Sequence, residues 1–168
     1  YFRDSVKPLE EAIGKDPGNA YLHIKLAETL REAGERNKAL LAAMAAVTAK
    51  PDEAFYHYWI GDLLLEMGRY ADALESLRAA IELSPGDDHL YLRAAVGFWR
   101  EGRKAEAIKA IRLASDLDPA KNLYYGLLER LLTESGLLEE AVLEHDRAEK
   151  MDRYDHDLMA RTLTEMGL

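Results

Sequence analysis

Cysteine is absent from the 168 residues, which excludes disulfide frameworks, thiolate nucleophiles and cysteine-based zinc sites. No uninterrupted apolar run approaches the roughly 20 residues that span a bilayer, so no membrane span is expected within this segment. Cations are in deficit: 22 Lys and Arg stand against 31 Asp and Glu, a net charge of −9. A nucleic-acid binder neutralises phosphates with excess Lys and Arg, so that class of partner is not expected either. Neither a G-x-S-x-G elbow, a P-loop nor a G-x-G-x-x-G turn occurs. Proline is scarce, with five in the chain, yet four of them carry the main signal of the sequence. At 48 % apolar and 32 % charged residues, the chain is too apolar to remain disordered. It opens on Tyr1 rather than Met and so reads as an excerpt, and its compartment is left open.

The signal is a period. Pro17, Pro51, Pro85 and Pro119 are each 34 residues apart, and Gly34, Gly68, Gly102 and Gly136 share the interval. So do Ala12, Ala46, Ala80, Ala114 and Ala148, and likewise Ala39, Ala73, Ala107 and Ala141. Between successive prolines lie two windows of about 14 residues with apolar spacing i, i+3, i+4, i+7, which predicts two amphipathic helices. Glycine follows the first helix, where a C-terminal residue often needs φ > 0. Proline closes the second by removing a donor and clashing with a further turn. Alanines on the inner face of the second helix let two backbones approach closely. Helix, glycine turn, helix, proline turn, repeated, is an antiparallel helical-hairpin solenoid.

These residues resemble the tetratricopeptide repeat, whose signature is W-x2-L-G-x2-Y, then A-x3-F, then A and P. Residues 54–87 carry His57, Ile60, Gly61 and Leu64, then Ala73, Leu77, Ala80 and Pro85 at those positions. Residues 88–121 carry Tyr91, Ala94, Ala95 and Phe98, then Ala107, Ile111, Ala114 and Pro119. Residues 20–53 and 122–155 match less fully, and partial repeats are expected over 1–19 and 156–168. The resemblance implies an all-α, right-handed superhelical solenoid forming one domain over 1–168. Departures gather in the fourth repeat: Glu129 replaces a small residue, His145 a large apolar one and Arg153 the closing proline, while Gly167 comes three residues early. A shortened connection and a last helix that packs differently account for these. The sharper alternative makes Glu129 and His145 a buried polar pair, which must then be hydrogen-bonded.

Candidate chemistry reads as structure. His23 and His57 occupy one position of successive repeats, roughly 10 Å apart at helix-packing distances. Zinc draws its ligand atoms to within about 3.5 Å of each other, and no third ligand recurs at that spacing. Tyr91 and Tyr125 continue the column, so an aromatic-sized filler is expected there. The run Asp152, Asp155, His156, Asp157 lacks the turn glycine and closing Glu of a calcium loop. Asp155 reads instead as a helix-capping acid, as do Asp87 and Asp88. No metal, cofactor or catalytic residue is expected, and the chain is not expected to be an enzyme.

The resemblance implies that the first helix of each repeat lines an inner groove. Carried over, this selects Tyr21, Phe55, Tyr58, Trp59, Leu92, Arg93, Val96, Trp99, Arg100, Leu127 and Arg130 as the partner-binding surface. Aromatic residues and Arg most often carry interface energy. The full set of groove positions holds five cations and five acids, with cations concentrated in the C-terminal half. A fitting ligand offers apolar anchors followed by acidic residues, bound as an extended or helical segment. Repeats that clasp a chaperone's C-terminal carboxylate use Lys and Asn in one repeat, Asn in the next, then Lys and Arg, where this chain has Ile24, Glu28, Trp59, His89 and Arg93, so that specialisation is not expected. The expected role is a protein–protein interaction scaffold that binds a peptide or helix of a partner. The alternatives are a substrate-recruiting or regulatory arm of a larger enzyme or secretion machine, and a module that self-associates through its terminal helices.

Overall fold

The computed structural model describes residues 2–150 and 156–168, and every regular element among them is an α-helix. In order these are α1 (Phe2–Lys15), α2 (Ala20–Glu32), α3 (Arg36–Ala49), α4 (Ala54–Glu66), α5 (Tyr70–Leu83), α6 (Asp88–Arg100), α7 (Lys104–Leu117), α8 (Asn122–Glu134), α9 (Leu138–Glu149) and α10 (His156–Met166). Helices α2, α4, α6, α8 and α10 start at residues 20, 54, 88, 122 and 156, so their starts keep the 34-residue step. The chain divides into two compact units, Tyr1–Ser84 and Pro85–Leu168, and the division falls at a proline turn. In the first unit α2 pairs with α3 and α4 with α5, while α1 lies on α2 and α3 on α4. In the second, α6 pairs with α7, α8 with α9, and α7 lies on α8.

Each turn follows from its residues. Gly34, Gly68, Gly102 and Gly136 have φ between +74° and +82°, the left-handed region that side chains with a Cβ avoid. With glycine there, the next amide reaches back to a carbonyl inside the helix. Glu35 N donates to Leu30 O at 2.9 Å, and Gly34 N to Arg31 O at 2.9 Å, closing a Schellman end. α10 ends the same way at Gly167, where Leu168 N donates to Leu163 O at 2.8 Å. At the other turns Asn19 caps α2 through Leu22 N and Asp87 caps α6 through His89 N.

Packing depends on side chains too small to keep helices apart. Ala39, Ala46, Ala73, Ala80, Ala107 and Ala114 are wholly buried, whereas Ala12 and Ala148, in the outermost copies of the column, are half-buried. The tightest approach is at Gly61 in α4. A Cβ there would stand 2.7 Å from Leu77 Cγ and 3.3 Å from the Ala73 carbonyl of α5. One buried charge breaks the apolar pattern. Glu144 of α9 is held by Arg112 of α7 and by Arg147, each at 3.1 Å, which answers the cost of its desolvation.

The last helix departs from the hairpin scheme. α10 begins one period after α8, yet it lies against α6 and α8. Asp155, read as a helix-capping acid, and Asp152 lie outside the described residues.

Overpacking either close contact forces the hairpins apart. Gly61→Ala and Ala107→Leu are each expected to cost about 1–3 kcal/mol. Denaturant titration measures this, and an unchanged midpoint for both would disprove the packing register.

Candidate functional site

The expected groove residues fall into both units: Tyr21, Phe55, Tyr58 and Trp59 in the first, the other seven in the second. In the first unit most of the charge is already paired. Arg31 of α2 donates to Asp62 at 3.0 Å and Glu66 at 2.9 Å, both on α4, and Arg36 reaches Glu66 at 3.1 Å. Burial works against the Arg31 charge, but Asp62 and Glu66 outweigh it and raise its pKa. The same guanidinium sits 5.3 Å above the Trp59 ring, and Trp59 is buried. Lys25 bonds Glu28 at 2.9 Å and lies 5.5 Å from the Tyr21 ring centroid. What this face of α2 and α4 leaves accessible is aromatic. Tyr21 and Phe55 are exposed, and half-buried Tyr58 lies 6.2 Å from Phe55, ring to ring.

A pocket of about 350 Å³ opens between α3, α4 and α5 of the same unit, with Leu40, Met44, Val47, Ile60 and Leu64 on one side and polar residues such as His57, Arg69, Asp72 and Glu75 on the other. Sequence reasoning missed it because each apolar wall residue reads as an ordinary helix–helix contact.

In the second unit the apolar part of the expected surface is buried, while Arg100 and Arg130 stay exposed. Leu92, Val96 and Leu127 are buried, and Trp99 is 9 % exposed with Lys104 Nζ 5.4 Å from its ring centroid. Arg93 gives both terminal nitrogens to the Glu165 carboxylate of α10, at 2.9 and 2.5 Å. Arg100 donates its Nε to the Glu165 backbone carbonyl at 2.7 Å. Arg130 bonds Glu134 at 3.0 Å, four residues along its own helix. Thr162 and Met166 of α10 are buried, and the Thr162 hydroxyl is satisfied by the Leu158 carbonyl at 2.8 Å. On this surface the chain's own α10 thus sets an acid against Arg93 and a backbone carbonyl against Arg100.

The histidine column has a role beyond filling space. His23 Nε2 meets the Pro17 carbonyl at 2.8 Å, and His57 Nε2 meets that of Pro51 at 2.8 Å. Tyr91 Oη reaches Pro85 O at 3.1 Å and Tyr125 Oη reaches Pro119 O at 3.2 Å. A carbonyl only accepts, so each ring must donate, and the two histidines carry their proton on Nε2. The column selects a ring with a donor at its far edge, tying each first helix to the proline turn before it. Among the described residues no cluster of three or more His, Asp or Glu is placed to hold a metal. None of their helices is long and apolar enough to cross a membrane.

Asp88, read as a helix-opening acid, also accepts from Lys121 Nζ at 2.8 Å and from the buried Tyr124 hydroxyl of α8. Burial pushes the Asp88 pKa up, but these bonds overcome it and hold it below the ordinary value. Glu129 and His145 do pair, Oε1 to Nδ1 at 3.0 Å, but with 37 % and 49 % of their side chains exposed. The pair is therefore not buried. It joins α8 to α9 in the open, where solvation keeps the cost of its charge low.

Tyr91→Phe removes the bond to Pro85 and is expected to cost about 0.5–1.5 kcal/mol in a denaturant titration. The His145 pair makes stability depend on pH. Glu129 raises the His145 pKa above its ordinary 6.5, so the contribution is full below that value and disappears as pH rises through the raised one. The melting-temperature advantage of the natural chain over Glu129→Gln should therefore shrink across that window. An advantage that does not change with pH would refute the pairing.

A family model of the tetratricopeptide repeat matches residues 24–88 and again 58–122. Among solved structures, a crystal structure of MamA shares 21 % identity over 89 % of this chain and 87 % of its own, with a TM-score of 0.81. MamA from Desulfovibrio magneticus RS-1 gives 19 %, 90 %, 86 % and 0.80 in the same order. YrrB, described as a TPR protein with an unusual peptide-binding site, gives 18 %, 97 %, 84 % and 0.78. At such identities the likeness is one of fold. No curated protein sequence matches. The two family matches together span residues 24–122, more than half of the chain, and the chain belongs to the tetratricopeptide repeat family.

Proposed function

We propose that the protein is a non-catalytic interaction scaffold that binds a peptide or helical segment of a protein partner on the exposed faces of its first helices. The observation that supports this best is the face of α2 and α4, where Tyr21 and Phe55 stay exposed and Phe55 lies beside Tyr58. Exposed aromatics on a face whose charges form an ionic layer are the side chains that most often anchor interfaces. Arg31, Asp62 and Glu66 support that layer and reduce the entropy a ligand must remove. The peptide-binding site ascribed to YrrB is consistent with this role.

Affinity capture from the source organism, followed by titration of the captured partner, tests the reading. Phe55→Ala and Tyr21→Ala are each expected to weaken binding by about 1–2 kcal/mol, roughly five- to thirtyfold. Both side chains are exposed, so unfolding midpoints should hardly move. Trp59→Ala is a poor probe, because Trp59 is buried and its loss disturbs folding first. Glu106→Gln, at a surface salt bridge with Arg103 on α7, serves as the control and should change little. Binding that survives both aromatic substitutions would exclude this face.

A further inference from the structure

The face formed by α6 and α8 already holds a helix, and the manner of holding is specific. Arg93 keeps 11 % of its side chain exposed and grips both Glu165 oxygens, a planar two-point match that other side chains reproduce poorly. Arg100 bonds a backbone carbonyl in the last turn of α10, and its Nη1 lies 3.0 Å from where a Cβ on Gly167 would stand. That contact reads a helix C-terminus and its capping glycine, where unpaired carbonyls favour a cation. Thr162, Glu165 and Met166 supply the side-chain half of the match at spacing i, i+3, i+4.

More than half of α10 nonetheless stays exposed. Of its 11 residues Thr162 and Met166 are buried and Leu158, Met159 and Leu163 half-buried. It also has another place to go. α10 starts one period after α8, as the first helix of a next repeat would, and the flank of α9 that would receive such a helix is bare. Val142 is 60 % exposed, although Ile108, one period earlier on α7, is 8 % exposed where α7 lies on α8. Leu138 beside it is 61 % exposed. A displaced α10 that moved to this flank would exchange one apolar contact for another, and an open repeat end would gain a cap.

We propose that the face of α6 and α8 is a docking site for an amphipathic helix of a protein partner, and that α10 is its built-in competitor. This deepens the scaffold reading and rests on it. The partner helix carries Glu followed by an apolar residue in its last turn, a small or β-branched residue three positions before that Glu, and a glycine at its C-cap. Because α10 is tethered, it competes at an effective concentration near the millimolar range, so only a matched helix displaces it.

The test uses the full chain and a fluorescent peptide with the sequence of residues 156–168, titrated by anisotropy. Against the natural chain the peptide should bind weakly, because α10 fills the site. Glu165→Arg in the chain sets two arginines against a third and releases α10, so the same peptide should bind roughly tenfold more tightly or better. The milder Glu165→Gln should fall between the two. Arg93→Glu also frees α10 but destroys the clasp, and peptide binding should be lost. Circular dichroism confirms that each variant stays helical. Equal affinity for the natural and Glu165→Arg chains, no binding to either, or undiminished binding to Arg93→Glu would each overturn the proposal. The scaffold reading, tested at Tyr21 and Phe55 of the first unit, stands or falls separately.

Discussion

The close approach of each first helix to the second helix of its hairpin is the constraint on which the rest depends. It requires positions with almost no side chain. Gly61 leaves no room for a methyl group against Leu77, and the buried alanine columns do the same work along the second helices. Helices this near bury little area per residue, so the hairpin depends on many small contacts that share one register. A fixed 34-residue step preserves that register. A one-residue insertion would turn the alanine face about 100° away from its partner.

Polar groups fix the joints that apolar packing leaves loose. The ring donors at His23, His57, Tyr91 and Tyr125 each satisfy a carbonyl in the proline turn, where no helical amide is available. Asp88, Lys121 and Tyr124 tie the start of α6 to the start of α8. In the fourth repeat the small–large packing of Gly61 with Leu77 gives way to Glu129 with His145, a charged pair in the same two places. The exchange is tolerable because both side chains reach water. The same pair buried would need further partners to offset its desolvation.

The two units dispose of the charges on their first helices differently. In the first, Arg31 pairs with Asp62 and Glu66, and Tyr21 and Phe55 are left exposed. In the second, arginines that could have faced a ligand hold Glu165 and the end of α10. Arg93 thus meets an acid from the same chain. Net charge along a groove says which sign is wanted but not who provides it, since tethering makes an internal acid the strongest competitor.

Sequence alone determined the local rules. The period, the turn glycines with φ near +75°, the helix starts and the buried alanines are all set by interactions among residues close in the chain. The donor role of the histidine and tyrosine column was within reach too, since His and Tyr share a ring with a polar edge. Other features were decided only by tertiary structure: the site of α10, the burial of Leu92, Val96 and Leu127, the exposure of the Glu129–His145 pair, and the pocket walled by Leu40 and Met44. α10 keeps the 34-residue register and its Schellman end, so by local criteria it is an ordinary first helix. Its address depends on Arg93 and Arg100, which lie 72 and 65 residues away from Glu165. No periodicity encodes a contact of that range, because it arises from complementarity between surfaces that exist only once the hairpins have packed.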